Sequence, residues 1–476
     1  MQLTSINDYK KTKIVATIGP ASEAEDTLKE IIVAGLNVAR LNFSHGTQDD
    51  HKVRIERIRK LSKELDKPVA ILQDLQGPKI RLGNLIKESE ILEKGQKVTL
   101  SFAKDQTSDS IPVQVDIFPY LKKGDAILIN DGLIRLKVDE LDNGTAHCTV
   151  VAGGEIKPHK GVNLPDTVLP NMALTEKDIS DLEFGLKNEV DFVAVSFVQS
   201  EKDIDYVKGL MSKATHKPKI ISKIECGPAI KNLTKIIDAS DGVMVARGDM
   251  AVEVGQEEVP ILQRRIIDYA RSTHKPVIVA TQMLESMVHN AEPTRAEVND
   301  VATAVMDQVD AVMLSAESAH GDYPIEAVSM MKKIIKRVEK YLHEGKQNRP
   351  FEHHEEHTQV DAIAQSASLL ASKLDAKAIL VLTESGITAQ ELVSYRPSVP
   401  TFAITDNIRT YYQMALLWGV KCFFVEKITN NVNAYKDLIE DFRKKDLLKV
   451  GDHLVEVAGT HPGVSGHINS ITVITV

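Results

Sequence analysis

The chain has 476 residues, about three domain lengths at roughly 150 residues each, so a large barrel or a multidomain protein is expected rather than one small core. Hydrophobic residues make up 43% and charged residues 26%, with 26 Gly and 18 Pro, which excludes collagen-like and broadly disordered classes. The formal net charge of -9 speaks against a nucleic-acid partner, whose phosphates require a basic face. No apolar run approaches the roughly 20 residues that a bilayer helix needs, and the opening MQLTSINDYKKTK has no apolar signal core behind its lysines, so neither a membrane nor a secreted setting is expected. Cys148, Cys226 and Cys422 are odd in number, far apart and in no metal-ligand spacing. They read as reduced packing residues of a cytoplasmic protein.

From Lys13 onward, short runs rich in Val, Ile and Ala are each followed by a polar stretch of helical spacing. Eight can be counted: 13–18, 37–43, 69–74, 192–197, 219–225, 242–247, 276–281 and 311–316. Apolar strands alternating with helices indicate a parallel sheet covered on both faces, and eight of them predict a closed (β/α)8 barrel. An open doubly wound sheet is the alternative. Between the third and fourth runs the spacing is far too long for a βα unit, which requires an inserted domain. There the pattern turns to alternation, over 97–102, 126–130 and 133–138, punctuated by Asp131-Gly132 and Asn143-Gly144. This predicts a small antiparallel β unit able to move as a lid.

The division expected is a barrel from 1–74 and 166–345, a lid over 75–165, a polar linker over 346–358 and a C-terminal α/β domain over 359–476. The linker carries His353, His354 and His357, but without the HExxH spacing of a zinc helix it reads as a solvated connector. In the last domain, strands are expected over 378–383, 401–405, 420–425, 453–458 and 471–476.

Barrel enzymes work at the C-terminal ends of their strands. The polar residues at these ends form a coherent set. The second strand ends in Arg40, Asn42 and Ser44, which point the same way along an extended chain, followed by His45. The third ends in Asp74, the fifth in Lys223 and Glu225, the sixth in Arg247, Gly248 and Asp249, the seventh in Thr281 and Gln282, the eighth in Ser315 and Glu317. Glu225 and Asp249 come from neighbouring strand ends, which suits a hard divalent ion such as Mg2+ that takes few carboxylates and completes its shell with substrate oxygens and water. The competing reading is that each acid simply pairs with Lys223 or Arg247. Lys223 could stabilise negative charge on a phosphoryl group or an enolate. The planar fork of Arg40 suits a phosphate, and Gly248 permits close approach of a ligand to the backbone. Thr281 could contact the other end of a substrate or merely cap the next helix. There is no Walker motif and no dinucleotide fingerprint, so a nucleotide would have to be held by the rim and the lid.

Nine stretches resemble the pyruvate kinase family, in order from the first strand to the eighth: KIVATIGPAS (13–22), NVARLNFSHG (37–46), LQGPKIRLG (75–83), KGVNLP (160–165), ISKIE (221–225), VMVARGDMAVEV (243–254), ATQMLESM (280–287), PTRAEVNDVATAV (293–305) and MLSAESAHGDYP (313–324). The resemblance implies transfer of the phosphoryl group of phosphoenolpyruvate to ADP, with a second Mg2+ arriving with the nucleotide, Mn2+ being an alternative metal. It also implies a mobile lid, a C-terminal effector site and a homotetramer. It matches Glu225 and Asp249 to the Mg2+ ligands, Lys223 to the charge-stabilising lysine and Arg40 to the phosphate arginine. Gly248, Asp249 and Thr281 match substrate-binding positions. Arg81 and Lys160 match nucleotide contacts on the lid side, and His45 joins them as an expected nucleotide neighbour.

Two departures from the family pattern stand out. Potassium-dependent members resemble Asp-Thr-Lys-Gly-Pro-Glu where this chain reads Asp74-Leu75-Gln76-Gly77-Pro78-Lys79. Asn42, Ser44 and Asp74 keep the monovalent-ion ligand types, Leu75 stands in place of the threonine, and the Lys79 ammonium could supply the missing charge, so activity without K+ is expected. In the last domain Thr383, Ser385 and Thr388 flank Gly386 at a strand-to-helix junction suited to a phosphate, while Ile387 stands where relatives often resemble arginine. A phosphorylated effector is expected there, although a plain helix cap explains the same residues. Two rival readings are a Mg2+-dependent lyase acting on pyruvate enolate and a metabolite sensor without turnover.

Overall fold

The computed structural model describes residues 9–106, 109–142, 144–169, 174–345, 358–426, 431–459 and 469–476. The linker stretch 346–357, with its three histidines, and Asn143 lie outside the described residues.

Eight parallel strands close a barrel. They are β1 (Lys13–Thr17), β2 (Val38–Asn42), β3 (Ala70–Asp74), β12 (Phe192–Val195), β13 (Lys219–Ile224), β14 (Gly242–Ala246), β15 (Val277–Ala280) and β16 (Ala311–Leu314). Almost every residue of these strands is buried, because one side of each faces the barrel interior and the other the surrounding helices. Val15, Leu72, Phe192, Ile221, Met244, Ile278 and Met313 fill the interior. The helices start where the sequence supplies caps: Thr47 with Asp50, Thr175 with Asp178 and Thr294 with Glu297 each form a reciprocal capping box, which satisfies amides that have no partner within the helix.

At the foot of the barrel, one device recurs at four of the strand pairs. The residue just before a strand accepts a hydrogen bond from a neighbouring strand's amide: Asn37 from Ile14, Asp191 from Ile71, Asp241 from Ile220 and Asp310 from Val277, at 2.6 to 3.1 Å. Such side chains secure the stability end of the fold and leave the opposite rim to chemistry.

The chain leaves the barrel after β3 and builds the lid from β4 (Glu90–Leu92), β5 (Lys97–Phe102), β6 (Ile111–Val113), β7 (Ala126–Ile129), β8 (Ile134–Asp142), β9 (Thr145–Ala152), β10 (Gly154–Ile156) and β11 (Val162–Asn163). Six of them form a sheet ordered β11-β7-β8-β9-β5-β6, while β10 pairs with β4. The outgoing segment 80–83 bonds on one side to the returning chain, Leu82 N to Lys160 O and Val162 N to Ile80 O, and on the other to β6, Gly83 N to Pro112 O, at 2.8 to 2.9 Å. It thereby joins the two edge strands and closes a small β-barrel around its own apolar core. The turn from β7 to β8 takes positive φ at Asn130, Asp131 and Gly132, a conformation that these residue types tolerate.

The C-terminal domain is a sheet ordered β19-β18-β17-β20-β21, made of β17 (Ala378–Leu382), β18 (Thr401–Thr405), β19 (Val420–Phe424), β20 (His453–Ala458) and β21 (Ser470–Thr475). The first four are mutually parallel and β21 is antiparallel to β20. The domain docks on the foot of the barrel. There the buried Arg396 guanidinium meets both oxygens of Asp310 at 3.0 and 3.1 Å and lies 5.0 Å from the Trp418 ring centre.

Candidate active site

The C-terminal rim of the barrel is built around a buried network of two cations and two acids. Arg40, near the end of β2, donates from Nε to Asp74 Oδ2 at 2.6 Å and from Nη1 to Thr17 Oγ1 at 2.8 Å. Lys223, in β13, lies 3.5 Å from Asp74 Oδ1 and 3.4 Å from Glu225 Oε2 and donates to Ser196 Oγ at 2.7 Å. Ser196 in turn donates to the Leu75 carbonyl at 2.7 Å. Glu225 is fully buried, and its Oε1 accepts from the Phe197 amide at 2.8 Å.

The charges sort themselves by partner. Burial alone would raise the pKa of Asp74, but Lys223 and Arg40 outweigh it and hold the carboxyl below its usual range. Burial likewise opposes the Lys223 ammonium, yet Asp74 and Glu225 win and its pKa rises. Glu225 goes the other way: burial raises its pKa, Lys223 only partly offsets this, and the neighbouring charge of Asp249 adds to the rise. Of the two acids beside Lys223, Glu225 is therefore the one whose charge is undercompensated.

Asp249 stands in the short helix Arg247–Val254 that follows β14. It is about one-third exposed and lies 3.8 Å from Lys79 Nζ. The competing reading of the acids is met in part. Glu225 does pair with Lys223, but Arg247 turns away, binding Asp300 at 2.7 Å and the Thr281 carbonyl at 2.6 Å. Thr281 caps no following helix. Its Oγ1 accepts from the Gly248 amide at 3.0 Å and donates to the Ala280 carbonyl at 2.6 Å. Thr281, Gln282 and Phe197 all hold positive φ, at 68°, 55° and 54°, and backbone strain of this kind concentrates at functional sites.

Other expected residues lie around this centre. Asn42 accepts from the Ser44 amide at 3.2 Å, and Ser44 and His45 are exposed on the loop after β2. The side chain of Leu75 is buried in the apolar core, and its backbone carbonyl is the acceptor for Ser196. Arg81 and Lys160 are neighbours on the paired crossing strands of the lid, with Arg81 Nη1 donating to the His159 carbonyl at 3.0 Å. The Glu317 carboxylate accepts from the amides of Leu284 at 3.1 Å and Ser315 at 2.7 Å and so serves the rim's backbone.

The loop 383–388 is remote in the chain and belongs to the C-terminal domain. There Thr383 Oγ1 accepts from the Gly386 amide at 2.9 Å, Gly386 has φ 84° and the helix Ile387–Ser394 follows. The sequence reading missed Thr17, Ser196 and Phe197. The first and fourth strands were left without a polar end residue, and the rule applied to the other six would have named Thr17 and Ser196.

A divalent cation can be tested against these groups. Glu225 Oε2 and Asp74 Oδ1 are buried without a hydrogen-bond partner among the described residues. The Lys223 ammonium faces both, at 3.4 and 3.5 Å, which with Arg40 suffices for Asp74 but leaves Glu225 undercompensated, so a further positive charge would complete Glu225. Among the described residues no three His, Cys, Asp or Glu side chains cluster into a full ligand set. The residues present fit such an ion.

A (β/α)8 barrel with acids, a lysine and an arginine converging at its strand ends, beneath an inserted lid, defines a lidded barrel enzyme. Two family models match the chain, "Pyruvate kinase, barrel domain" over residues 9–328 and "Pyruvate kinase, alpha/beta domain" over 361–474. The chain is 41% identical to a pyruvate kinase of Clostridium perfringens, with 98% of this chain and 99% of that protein covered. It is 42% identical to pyruvate kinase 2 of Synechocystis sp., with 98% and 79% covered. A crystal structure of a pyruvate kinase from Cryptosporidium parvum superposes with a TM-score of 0.90 at 32% identity, covering 99% of this chain and 97% of that one. The chain belongs to the pyruvate kinase family and is a phosphotransferase of that kind. Among the described residues no helix is long and apolar enough to cross a membrane.

Proposed function

We propose that the rim transfers the phosphoryl group of phosphoenolpyruvate to ADP, with Lys223, Arg40 and the pair Glu225 and Asp249 at its centre. The observation that carries this reading is the buried Glu225 carboxylate, whose Oε2 accepts no hydrogen bond and whose charge the Lys223 ammonium at 3.4 Å offsets only in part. A divalent ion of the Mg2+ or Mn2+ type, held by Glu225 and Asp249, would supply charge neutralisation for the migrating phosphoryl group.

The protein's own residues do the rest. Lys223 is fixed by Ser196 and two carboxylates, so its charge needs no reorganisation when negative charge develops on the phosphoryl and enolate oxygens. Arg40, held by Asp74 and Thr17, presents its remaining N–H groups to the phosphate. The start of the helix at Gly248 and Asp249, with Thr281 beside it, takes the carboxylate end of the substrate. Arg81 and Lys160 from the lid, with His45 at the rim, hold the nucleotide, and lid closure excludes water that would hydrolyse the donor.

In this reading Asn42, Ser44 and Asp74 frame a monovalent-ion pocket whose charge Lys79 supplies, so K+ is not required. The loop of Thr383, Ser385, Gly386 and Thr388 receives a phosphorylated effector, and the enzyme works as a cytoplasmic homotetramer. The test is ATP formation from ADP and phosphoenolpyruvate with Mg2+, assayed in tetramethylammonium buffer with and without K+ and with sugar phosphates or AMP added. Strict dependence on K+ would overturn the potassium assignment. Absence of ATP formation would overturn the reaction.

A further inference from the structure

The helix Arg247–Val254 carries Gly248 and Asp249 in its first turn. One turn beyond Asp249 stands Glu253, whose carboxylate is shared between two other segments. Its Oε1 accepts from Asn163 Nδ2 at 2.9 Å, and Asn163 lies in β11, by which the chain returns from the lid three residues after Lys160. Its Oε2 accepts from the amide of Gly227 at 3.3 Å, two residues beyond Glu225.

Further contacts gather at the same joint between lid and barrel. A Cβ at Gly227 would stand 2.3 Å from the Pro165 carbonyl oxygen, so the turn after Glu225 and the returning chain meet backbone to backbone. On the adjoining side, a Cβ at Gly132 would lie 3.3 Å from Val252 Cγ1, which brings the β7–β8 turn of the lid against the same helix. An apolar side chain would satisfy a purely packing role here. A carboxylate in partly buried surroundings is costly unless both oxygens are used, and these are used by two segments that carry site residues.

We propose that Glu253 is a positioning residue that sets the lid against the rim. One carboxylate joins the helix bearing Asp249, the turn bearing Glu225 and the strand that follows Lys160, so the nucleotide side is in register with the metal acids only while this clamp is made. The inference rests on the assignment of Glu225, Asp249 and Lys160 given above. Such outer partners commonly matter by about 10- to 100-fold when removed.

The full-length enzyme tests it by steady-state kinetics with each substrate varied, together with hydrogen exchange of the amides of 160–165. In Glu253→Ala, turnover falls about tenfold or more and KM for ADP rises by a similar factor, while KM for phosphoenolpyruvate stays within about threefold. Exchange over 160–165 accelerates. Glu253→Gln stays close to the parent, because its amide can accept from Gly227 and bond a reoriented Asn163. Asn163→Asp sets two carboxylates face to face and reproduces the alanine variant, and adding Glu253→Gln to it restores both ADP binding and protection.

An unchanged KM for ADP in Glu253→Ala would overturn the inference. So would equal losses for both substrates with a lowered unfolding midpoint, or failure of the exchanged pair to recover. Glu225→Gln is measured alongside to separate the two readings. Normal turnover in that variant defeats the site assignment itself, whereas its loss beside an unaffected Glu253→Ala defeats only the clamp.

Discussion

Lys79 lies 3.8 Å from Asp249 across the gap between the lid's outgoing strand and the barrel rim. Gly161 on the returning strand leaves room for the Lys79 stem, its would-be Cβ falling 3.2 Å from Lys79 Cε. A tethered cation thus stands where the family's potassium-dependent pattern carries an acid. Replacing it by Glu reverses the local charge beside Asp249, and an acid at that place needs a counter-ion. Lys79→Glu is therefore expected to have little activity in tetramethylammonium buffer and to recover on addition of K+, whereas the parent is indifferent to K+. Equal K+ response of the two would remove Lys79 from this role.

The second prediction concerns Lys223, whose ammonium is held between Ser196, Asp74 and Glu225. Removing a preorganised donor of this kind commonly costs about 3 to 4 kcal/mol of barrier. Lys223→Met should lower turnover at least about a hundredfold with a small change in KM for either substrate, since the interaction is strongest in the transition state. Near-normal turnover would refute the assignment.

How far these features were legible depends on how local their causes are. The eight barrel strands could be read because burial on both faces leaves uninterrupted apolar runs. The lid's β7–β8 turn could be read because Asp131-Gly132 tolerates positive φ. The strand-end rule, which needs only the strand boundaries, puts Glu225, Asp249 and Lys223 at the rim, where the fold has them. Pairing was not legible. That Arg247 turns to Asp300, that Lys79 reaches Asp249 and that Glu225 rests on the Phe197 amide all depend on loops that meet only after the barrel closes. Glu253 stood in a recognised stretch but gave no signal, because its two partners are 90 and 26 residues away in the chain.

The joint between the barrel and the C-terminal domain gives a third prediction. Arg396 binds both oxygens of Asp310, the Gln308 and Val393 carbonyls and the face of Trp418, all buried. Arg396→Met keeps much of the volume but strands the Asp310 carboxylate, and breaking a buried pair by removing one partner costs about 3 to 5 kcal/mol. The urea midpoint should fall accordingly. The double variant Arg396→Met/Asp310→Asn should lose less than the sum of the two single changes. Strict additivity would mean that the pair is not energetically coupled.

Glu391 supplies a pH-dependent prediction. It sits in the helix Ile387–Ser394, where burial, helped by the charge of Asp361, pushes its pKa up from 4.5 to about 7. The folded state therefore binds this proton more tightly than the unfolded chain does, and between pH 4.5 and about 7 the group's contribution to stability falls as pH rises. Glutamine resembles the protonated form at every pH. Glu391→Gln should thus melt together with the parent near pH 4.5 and above it once the pH passes about 7. Thermal unfolding followed by circular dichroism at both ends of that window provides the check. A constant offset between the two proteins at all pH values would show that the substitution acts through packing, leaving the carboxyl's ionisation without the role given to it.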